Sequence, residues 1–135
     1  MDPKVLVIGI DGVSSEELAS MLEESGMDTV QAHNGFVMET LRLILLNIVV
    51  IEEKTGQGGW DISSRIRRES DVPILLLGNG NTEMSWVKAA AYDVDCYLSR
   101  PFSPRELVAR IRAIIRRDSN RLQKSPQEKG HRITA

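Results

Sequence analysis

The three short apolar runs at 5–8, 48–51 and 74–77 constrain this chain more than any other feature of its sequence. Because they lack the polar alternation of a sheet with one solvated face, they are typical of strands buried on both faces of a parallel sheet. Weaker strand patterns lie at 29–32 and 96–99. The sequence therefore predicts five strands, with the second strong one extending over 47–51.

Helical patterns fill the segments between these strands. Ser14 and Glu17 predict a capping box, and Gly26 stands where a C-terminal cap belongs. Further helices are predicted at about 36–45, 60–69 and 82–92, and from Pro104 to the end of the domain. Five strands alternating with five helices predict an α/β fold with a doubly wound, five-stranded parallel sheet. Ligands of such folds bind at the carboxyl ends of the strands.

Side-chain spacing also predicts which faces of two helices are buried. The predicted inner face of the 82–92 helix consists of Met84, Val87, Ala90 and Ala91. This choice leaves Trp86 near the edge of that face. On the 60–69 helix, Arg67 is predicted to point mostly outward.

Composition limits the size and class of the protein. The chain has 135 residues and a net charge of −2, which suits one domain with a short appendage. Residues 118–135 are polar and carry four Lys/Arg against two acids, so we assign 1–117 to the domain and 118–135 to a basic linker or tail. Cys96 is the only cysteine, which excludes a disulfide framework. No apolar run approaches the ~20 residues of a membrane span, and the N-terminus lacks a signal peptide's apolar core, so we expect a soluble, cytoplasmic protein.

The segment 97–107, which reads YLSRPFSPREL, carries a resemblance to a known family. Together with the order of the predicted elements, it resembles the receiver domain of bacterial response regulators, in which this stretch reads Tyr-Leu-Thr-Lys-Pro-Phe-Ser-Pro-Arg-Glu-Leu. The resemblance covers residues 4–117 and implies a CheY-like fold that accepts a phosphoryl group from a histidine kinase onto an aspartate. It also implies a magnesium ion, held by that aspartate and by an acidic pair after the first strand. A hydroxyl after the fourth strand and a lysine after the fifth bind the phosphoryl group.

Most positions that this chemistry needs hold other residues in this chain. The acidic pair corresponds to Gly9 and Ile10, the acceptor to Glu52, the hydroxyl to Gly78 and the lysine to Arg100, and the aromatic switch residue is kept as Tyr97. Asp11 lies one position too late for the acidic pair. Without a metal, the transferring phosphoryl group lacks its main electrostatic stabilisation. We therefore expect an atypical receiver that is not an enzyme, binds no metal or cofactor, and works independently of phosphorylation.

Two residues near the acceptor position have alternative interpretations. Glu52 either mimics the phosphorylated state by pairing with Arg100, or is a leftover carboxylate bound to Arg100 or Lys54. Lys54 either places its ammonium where the family holds magnesium, or is a solvated loop lysine. The rival to a signalling module is a binding module whose pocket holds a small ligand or anion, with Arg100 and the neighbouring glycine loops. An enzyme or nucleotide binder is disfavoured, because the sequence has no nucleophile–base set and no complete phosphate-binding loop.

The resemblance also predicts an output domain that follows the receiver. Receivers with this motif in the last helix typically continue into a winged-helix DNA-binding domain, and residues 131–135 resemble the run into its first strand. We expect a DNA-binding output domain after residue 135. The alternative is a stand-alone receiver with a basic tail.

Dimers of this class of receivers use the fourth helix, the fifth strand and the fifth helix, with three ion pairs between subunits. One partner of each pair is changed in this chain. The retained residues are Glu106, Asp95 and Arg110, and their partner positions hold Trp86, Ala90 and Cys96, respectively. Surface ion pairs contribute ~0–1 kcal/mol each, so their loss does not forbid a dimer. We expect a homodimer through this face, in which Trp86 is either an interface contact or partly buried packing, and Cys96 is a small apolar filler.

Overall fold

The computed structural model describes residues 2–10, 14–32, 36–53, 57–80 and 82–122. Strands and helices alternate along these residues. The strands are β1 (Lys4–Gly9), β2 (Asp28–Ala32), β3 (Ile48–Glu52), β4 (Ile74–Gly78) and β5 (Cys96–Ser99). The helices are α1 (Glu16–Glu24), α2 (Val37–Leu43), α3 (Gly58–Glu69), α4 (Thr82–Ala91) and α5 (Pro104–Leu122). Each predicted strand and helix is present.

One parallel sheet organises the domain. Its strand order is β2-β1-β3-β4-β5, and every neighbouring pair of strands is parallel. The predicted doubly wound, five-stranded α/β fold is therefore confirmed. Because all strands run in one direction, their carboxyl ends lie along one edge of the sheet. At that edge, Gly9 is in register with Glu52, and Gly78 with Ser99.

Helices cover both faces of the sheet, and each face has its own apolar core. One core contains Leu18 and Leu22 of α1 with Leu107 and Ile111 of α5. The other contains Val37 of α2, Ile66 of α3 and Ala89 of α4. Each large apolar side chain that is fully buried contributes about 1.5–3 kcal/mol relative to an exposed one. In the described part of the chain, no helix has the length and apolar character needed to cross a membrane.

The ends of α1 confirm one predicted cap and contradict the other. The helix begins at Glu16 with Ser15 as its N-cap residue, so the predicted capping box from Ser14 is wrong. Ser14 Oγ instead accepts a hydrogen bond from the N–H of Glu16 at 3.4 Å. At the other end, Gly26 has a φ of +89°, and the N–H of the next residue closes the helix by donating to the carbonyl of Leu22 at 3.1 Å.

The predicted inner face of α4 is wrong. Met84 is 70% exposed and Val87 is 68% exposed, while Ser85 and Ala89 are buried. Ala90 and Ala91 are exposed as well. The buried positions of this helix therefore hold small side chains, and the dense packing of the interior leaves no room there for larger ones. As a result, α4 presents its larger apolar residues to solvent.

Three other helix ends differ from their predicted positions. α2 ends at Leu43, because Ile44 is extended. α3 begins at Gly58, so its first turn includes glycines that the sequence assigned to a loop. α5 continues through Leu122, past the predicted domain boundary at 117, since extending a formed helix costs little per residue.

Arg67 does not point outward as predicted. Its side chain lies against the loops around β4 and β5, where its guanidinium donates to the carbonyls of Ser70, Val72 and Asp93 at 3.0, 2.8 and 3.1 Å. These carbonyls terminate helices or lie in loops and have no ladder partner in the sheet. The guanidinium of an arginine has several N–H donors in a fixed plane and can bind several such carbonyls at once. This explains why Arg67 lies against these loops.

Candidate functional site

An ion pair between Glu52 and Arg100 lies at the carboxyl edge of the sheet. Arg100 Nη2 is 3.0 Å from Glu52 Oε2, and the two side chains are 26% and 19% exposed, respectively. Arg100 Nη1 also donates to the carbonyl of Glu53 at 2.8 Å and to Asn79 Oδ1 at 3.3 Å. The guanidinium thus joins the ends of β3, β4 and β5. We call Gly9, Ile10, Glu52, Gly78 and Arg100 the carboxyl-end site.

The contacts of Arg100 bear on both sequence interpretations of Glu52. Glu52 pairs with Arg100 in the structure. This pair is compatible with both interpretations, a mimic of the phosphorylated state and a leftover carboxylate, and does not choose between them. Lys54, the other candidate partner, lies outside the described residues. Glu52 already neutralises the guanidinium of Arg100, and other N–H groups of this arginine donate to protein oxygens. No observation therefore favours Arg100 as the binding site of a free anion.

The two positions of the missing acidic pair contribute backbone and packing instead of charge. The N–H of Ile10 donates to the carbonyl of Glu52 at 3.0 Å, and the Ile10 side chain is 1% exposed. Gly9 lies beside Glu52 in register and has no side chain. Asp11 lies outside the described residues.

The donor groups at this site do not fit a magnesium ion. Magnesium requires a near-octahedral set of oxygen ligands, whereas the carboxyl-end site offers one carboxylate that Arg100 already pairs. Glu52 Oε1 is buried and has no hydrogen-bond partner among the described residues. Across the described ranges, no group of three or more His, Cys, Asp or Glu side chains is arranged to hold a metal ion.

Glu53 is a buried carboxylate that the sequence analysis missed. Its Oε1 accepts a hydrogen bond from the N–H of Gly59 at 2.7 Å, in the first turn of α3. A carboxylate at a helix N-terminus is stabilised by the unpaired N–H groups and the helix dipole. A Cβ on Gly59 would lie 2.9 Å from that Oε1 and 2.7 Å from Leu76 Cδ1, so only glycine fits. The sequence did contain a signal for this residue. Glu52 and Glu53 are adjacent at the end of a strand, and neighbouring side chains of a strand point to opposite faces.

Tyr97, the retained aromatic residue, is buried beside the position of the missing hydroxyl. Its Oη accepts a hydrogen bond from the N–H of Gly80 at 2.6 Å. A Cβ on Gly78 would lie 2.6 Å from the same Oη. The tyrosine hydroxyl therefore occupies the space into which a Ser or Thr side chain at position 78 would extend.

A cluster of aromatic and polar residues adjoins Tyr97, and sequence spacing gave no sign of it. Trp60 of α3 stacks on Tyr97 with ring centroids 5.7 Å apart and an interplanar angle of 7°. Lys88 Nζ of α4 lies 5.1 Å from the Trp60 ring centroid and donates to Gln57 Oε1. Gln57 Nε2 in turn donates to Tyr92 Oη at 2.8 Å. These contacts join α3, α4 and β5.

The charged residues retained on the predicted dimer face have partners within the same chain. Asp95 Oδ2 accepts from the N–H of Ile74 at 2.7 Å and lies 3.2 Å from Arg67 Nη2. Glu106 Oε2 lies 3.9 Å from Arg110 Nη2, one turn along α5. Asp95 is thus mainly a structural residue that ties α3 to the start of β4.

The apolar residues of the same face fall into two kinds. Cys96 is buried, and burial raises the pKa of its thiol, as expected for an inert apolar filler. Trp86, in contrast, is 49% exposed. It lies on α4 with the exposed side chains of Met84, Val87 and Ala90. We call these four residues the α4 patch.

Sequence comparison finds curated relatives among transcriptional regulatory proteins. The chain is 31% identical over 147 aligned residues to the phosphate regulon transcriptional regulatory protein PhoB of Pseudomonas aeruginosa, covering 96% of this chain and 62% of that protein. It is 31% identical over 119 residues to the transcriptional regulatory protein CpxR of Escherichia coli, covering 84% of this chain and 50% of that protein. The chain therefore spans only 50–62% of the length of these relatives. No family model matches the chain.

Solved structures with similar folds come from signalling proteins. A two-component response regulator from Clostridium difficile matches with a TM-score of 0.74 at 27% identity, covering 86% of this chain and 98% of that one. The chemotaxis protein CheY4 of Vibrio cholerae matches with a TM-score of 0.72 at 17% identity, covering 84% of this chain and 99% of that one. At 17% identity, the match with CheY4 shows only that the two chains share a fold. Both solved chains are matched over nearly their whole length.

Proposed function

The chain belongs to the receiver domains of response regulators, and from that premise we propose that it is an atypical receiver that works without phosphorylation. It acts as a non-enzymatic signalling module in the cytoplasm, where it self-associates and controls an output domain. The observation that carries this proposal is the carboxyl-end site, in which Arg100 is paired with Glu52 and Ile10 is buried in the core.

The chemistry of phosphoryl transfer explains why that observation matters. The transferring group spreads charge over its oxygens, and enzymes and receivers alike depend on cations to stabilise it. Among the described residues, the cation at the site is Arg100, and the carboxylate of Glu52 holds it at 3.0 Å. Glutamate also carries one more methylene than aspartate, which moves its oxygens away from the acceptor position. Among the described residues, the site thus offers neither a free acceptor nor a set of metal ligands.

We expect the domain to remain unmodified when it is incubated with magnesium and a small-molecule phosphodonor. The intact mass should show no adduct of about 80 Da, the mass of a phosphoryl group. A receiver of this family that retains the acidic pair and the acceptor aspartate, treated alongside, controls for the activity of the phosphodonor. A magnesium-dependent adduct on Glu52 or Asp11 would contradict the proposal.

Glu52→Asp alone should also fail to restore phosphorylation. The shorter side chain restores the family's acceptor, but Gly9, Ile10 and Gly78 still supply neither a metal ligand nor a hydroxyl. The same mass measurement checks this variant, with urea denaturation to show that it is folded. If this single change gave magnesium-dependent labelling, Asp11 would have to supply the metal ligand, and the site would be one substitution from function.

A homodimer through the face formed by α4, β5 and α5 is the second part of the proposal. The α4 patch supports this dimer. Three of its side chains are large and apolar, and about half or more of each is exposed: Met84, Trp86 and Val87. Exposed apolar groups at helical spacing favour contact with another apolar surface. A second copy is the fitting partner, since in a symmetric dimer the same apolar patch of each subunit covers that of the other.

The proposed output is transcriptional. PhoB and CpxR are transcriptional regulatory proteins, and this chain matches only part of their length. We propose that the receiver controls a DNA-binding domain that follows it in the full protein. A helix-turn-helix pattern encoded after residue 135 in the gene would support this, and a stop codon there would contradict it.

A further inference from the structure

We propose that Gly78, Gly80 and Trp60 fix Tyr97 in its buried position, so that this ring does not alternate between a buried and an exposed position. The inference rests on the proposed phosphorylation-independent role. It adds that the domain holds one constant arrangement of α4, and it names the residues that impose it.

The hydroxyl of Tyr97 lies in space that two glycines leave open. The N–H of Gly80 donates to Tyr97 Oη at 2.6 Å. A Cβ on Gly78 would lie 2.6 Å from this oxygen, and a Cβ on Gly80 would lie 2.8 Å from it. Both distances are shorter than any ordinary carbon–oxygen contact, so a side chain at either position would displace the ring. Glycine at both positions is therefore a condition for the buried tyrosine.

The ring of Tyr97 is held on one face by Trp60. The two rings are nearly parallel, with centroids 5.7 Å apart, a geometry typical of offset stacking. Trp60 is itself buried and contacts Tyr92 with centroids 5.6 Å apart. Moving Tyr97 outward would remove this stacking contact and leave a gap beside a buried tryptophan, which the surrounding core would fill poorly.

The same contacts position α4. Ser85 of α4 is buried, and its Oγ lies 2.7 Å from the place of a Gly80 Cβ. This turn of the helix therefore lies directly against the Gly80 backbone. Lys88, about one turn further on, lies over the Trp60 ring at 5.1 Å. With the tyrosine in place, α4 is held to the end of β4 and to α3 together, with the α4 patch on its outer side.

Hydrogen exchange of the Gly80 amide, in the unsubstituted domain and in Tyr97→Phe, tests the proposal. The Gly80 amide should be protected, because it donates to a buried oxygen, and Tyr97→Phe should speed its exchange about fivefold. Addition of magnesium and a small-molecule phosphodonor should leave the exchange rate unchanged. A Gly80 amide that exchanges at the rate of an unstructured loop would overturn the proposal.

Fluorescence of Trp60 tests the role of the glycines. In a Trp86→Phe background, Trp60 is the only tryptophan, since the chain has two. Gly78→Ala should displace Tyr97 and raise acrylamide quenching of Trp60 at least about twofold. Adding Tyr97→Phe to Gly78→Ala should largely reverse this, because the hydroxyl is gone and the next ring atom is 3.2 Å from the new Cβ.

The outcomes of these experiments separate this inference from the proposed function. Unchanged quenching in Gly78→Ala would overturn the fixed tyrosine, whatever the phosphodonor does. A phosphoryl adduct in the mass spectrum would overturn the phosphorylation-independent role, whatever Trp60 reports. If Gly78→Ala unfolds and the double variant folds, the steric conflict is supported directly. If both unfold, exchange of the Gly80 amide decides.

Discussion

Trp86→Lys should weaken self-association of the domain at least about tenfold while leaving its fold intact. Trp86 is 49% exposed on the α4 patch, so its substitution costs little internal packing. Burying a large apolar side chain in an interface contributes about 1.5–3 kcal/mol, and each ~1.4 kcal/mol changes a dissociation constant tenfold. Lysine removes this area and adds an ammonium that must lose water on association. Sedimentation equilibrium over a concentration series measures the change.

A matched control is available on another helix. Leu43 of α2 is also a large, exposed apolar residue, and it lies outside the α4 patch. Leu43→Lys should leave the dissociation constant unchanged, which separates a specific interface from general stickiness. A wild-type domain that stays monomeric at hundreds of micromolar would end the dimer proposal, as would equal effects of the two lysines.

Arg100→Met should lower the free energy of unfolding by about 2–3 kcal/mol, because it leaves the largely buried carboxylate of Glu52 without its cation. It also removes donors from the Glu53 carbonyl and from Asn79 Oδ1. Adding Glu52→Gln to Arg100→Met should recover at least about half of the loss, since the unpaired charge is then gone. Urea denaturation at neutral pH measures all three proteins.

The surface pair of Arg42 and Glu69 provides the control for this experiment. Its two contacts, of 2.8 and 3.2 Å, are as short as those of Arg100, but both side chains are well exposed. Arg42→Met should therefore have little effect on the free energy of unfolding, because solvent already screens this exposed pair. If Arg100→Met costs no more than Arg42→Met, or if the double variant is no more stable than Arg100→Met, the partly buried pair has no special role in stability.

The sheet could be predicted from the sequence because each strand carries its own signal. The runs at 5–8, 48–51 and 74–77 are buried on both faces, and this burial needs helices on both sides. The sequence analysis offered Arg100 and Lys54 as partners of Glu52, and the structure contains the pair with Arg100, since parallel strands bring their carboxyl ends together. The local signal of Gly26 was also sufficient, because a positive φ is a property of one residue.

The face of α4 could not be predicted in this way. This helix has apolar residues on more than one side, and the structure buries the small Ser85 and Ala89 while it exposes Met84 and Val87. The stacking of Trp60 on Tyr97 depends on an approach between elements that are distant in sequence. Spacing within one helix contains no information about such a contact. The polar roles of Glu53 and Arg67 likewise depend on partners that only the fold brings near.

Under the proposed function, the burial of Ile10 makes it difficult to restore an acidic pair at positions 9 and 10. Its side chain belongs to the core that α2, α3 and α4 cover, and it is 1% exposed. An acid at position 10 would have to place a charge where an aliphatic group now packs, at a cost that no metal repays until the other ligands are also present. A path back to a magnesium site that begins at position 10 thus passes through a less stable protein. Under the proposed function, the packing of Ile10 in the core therefore helps to keep this domain independent of phosphorylation.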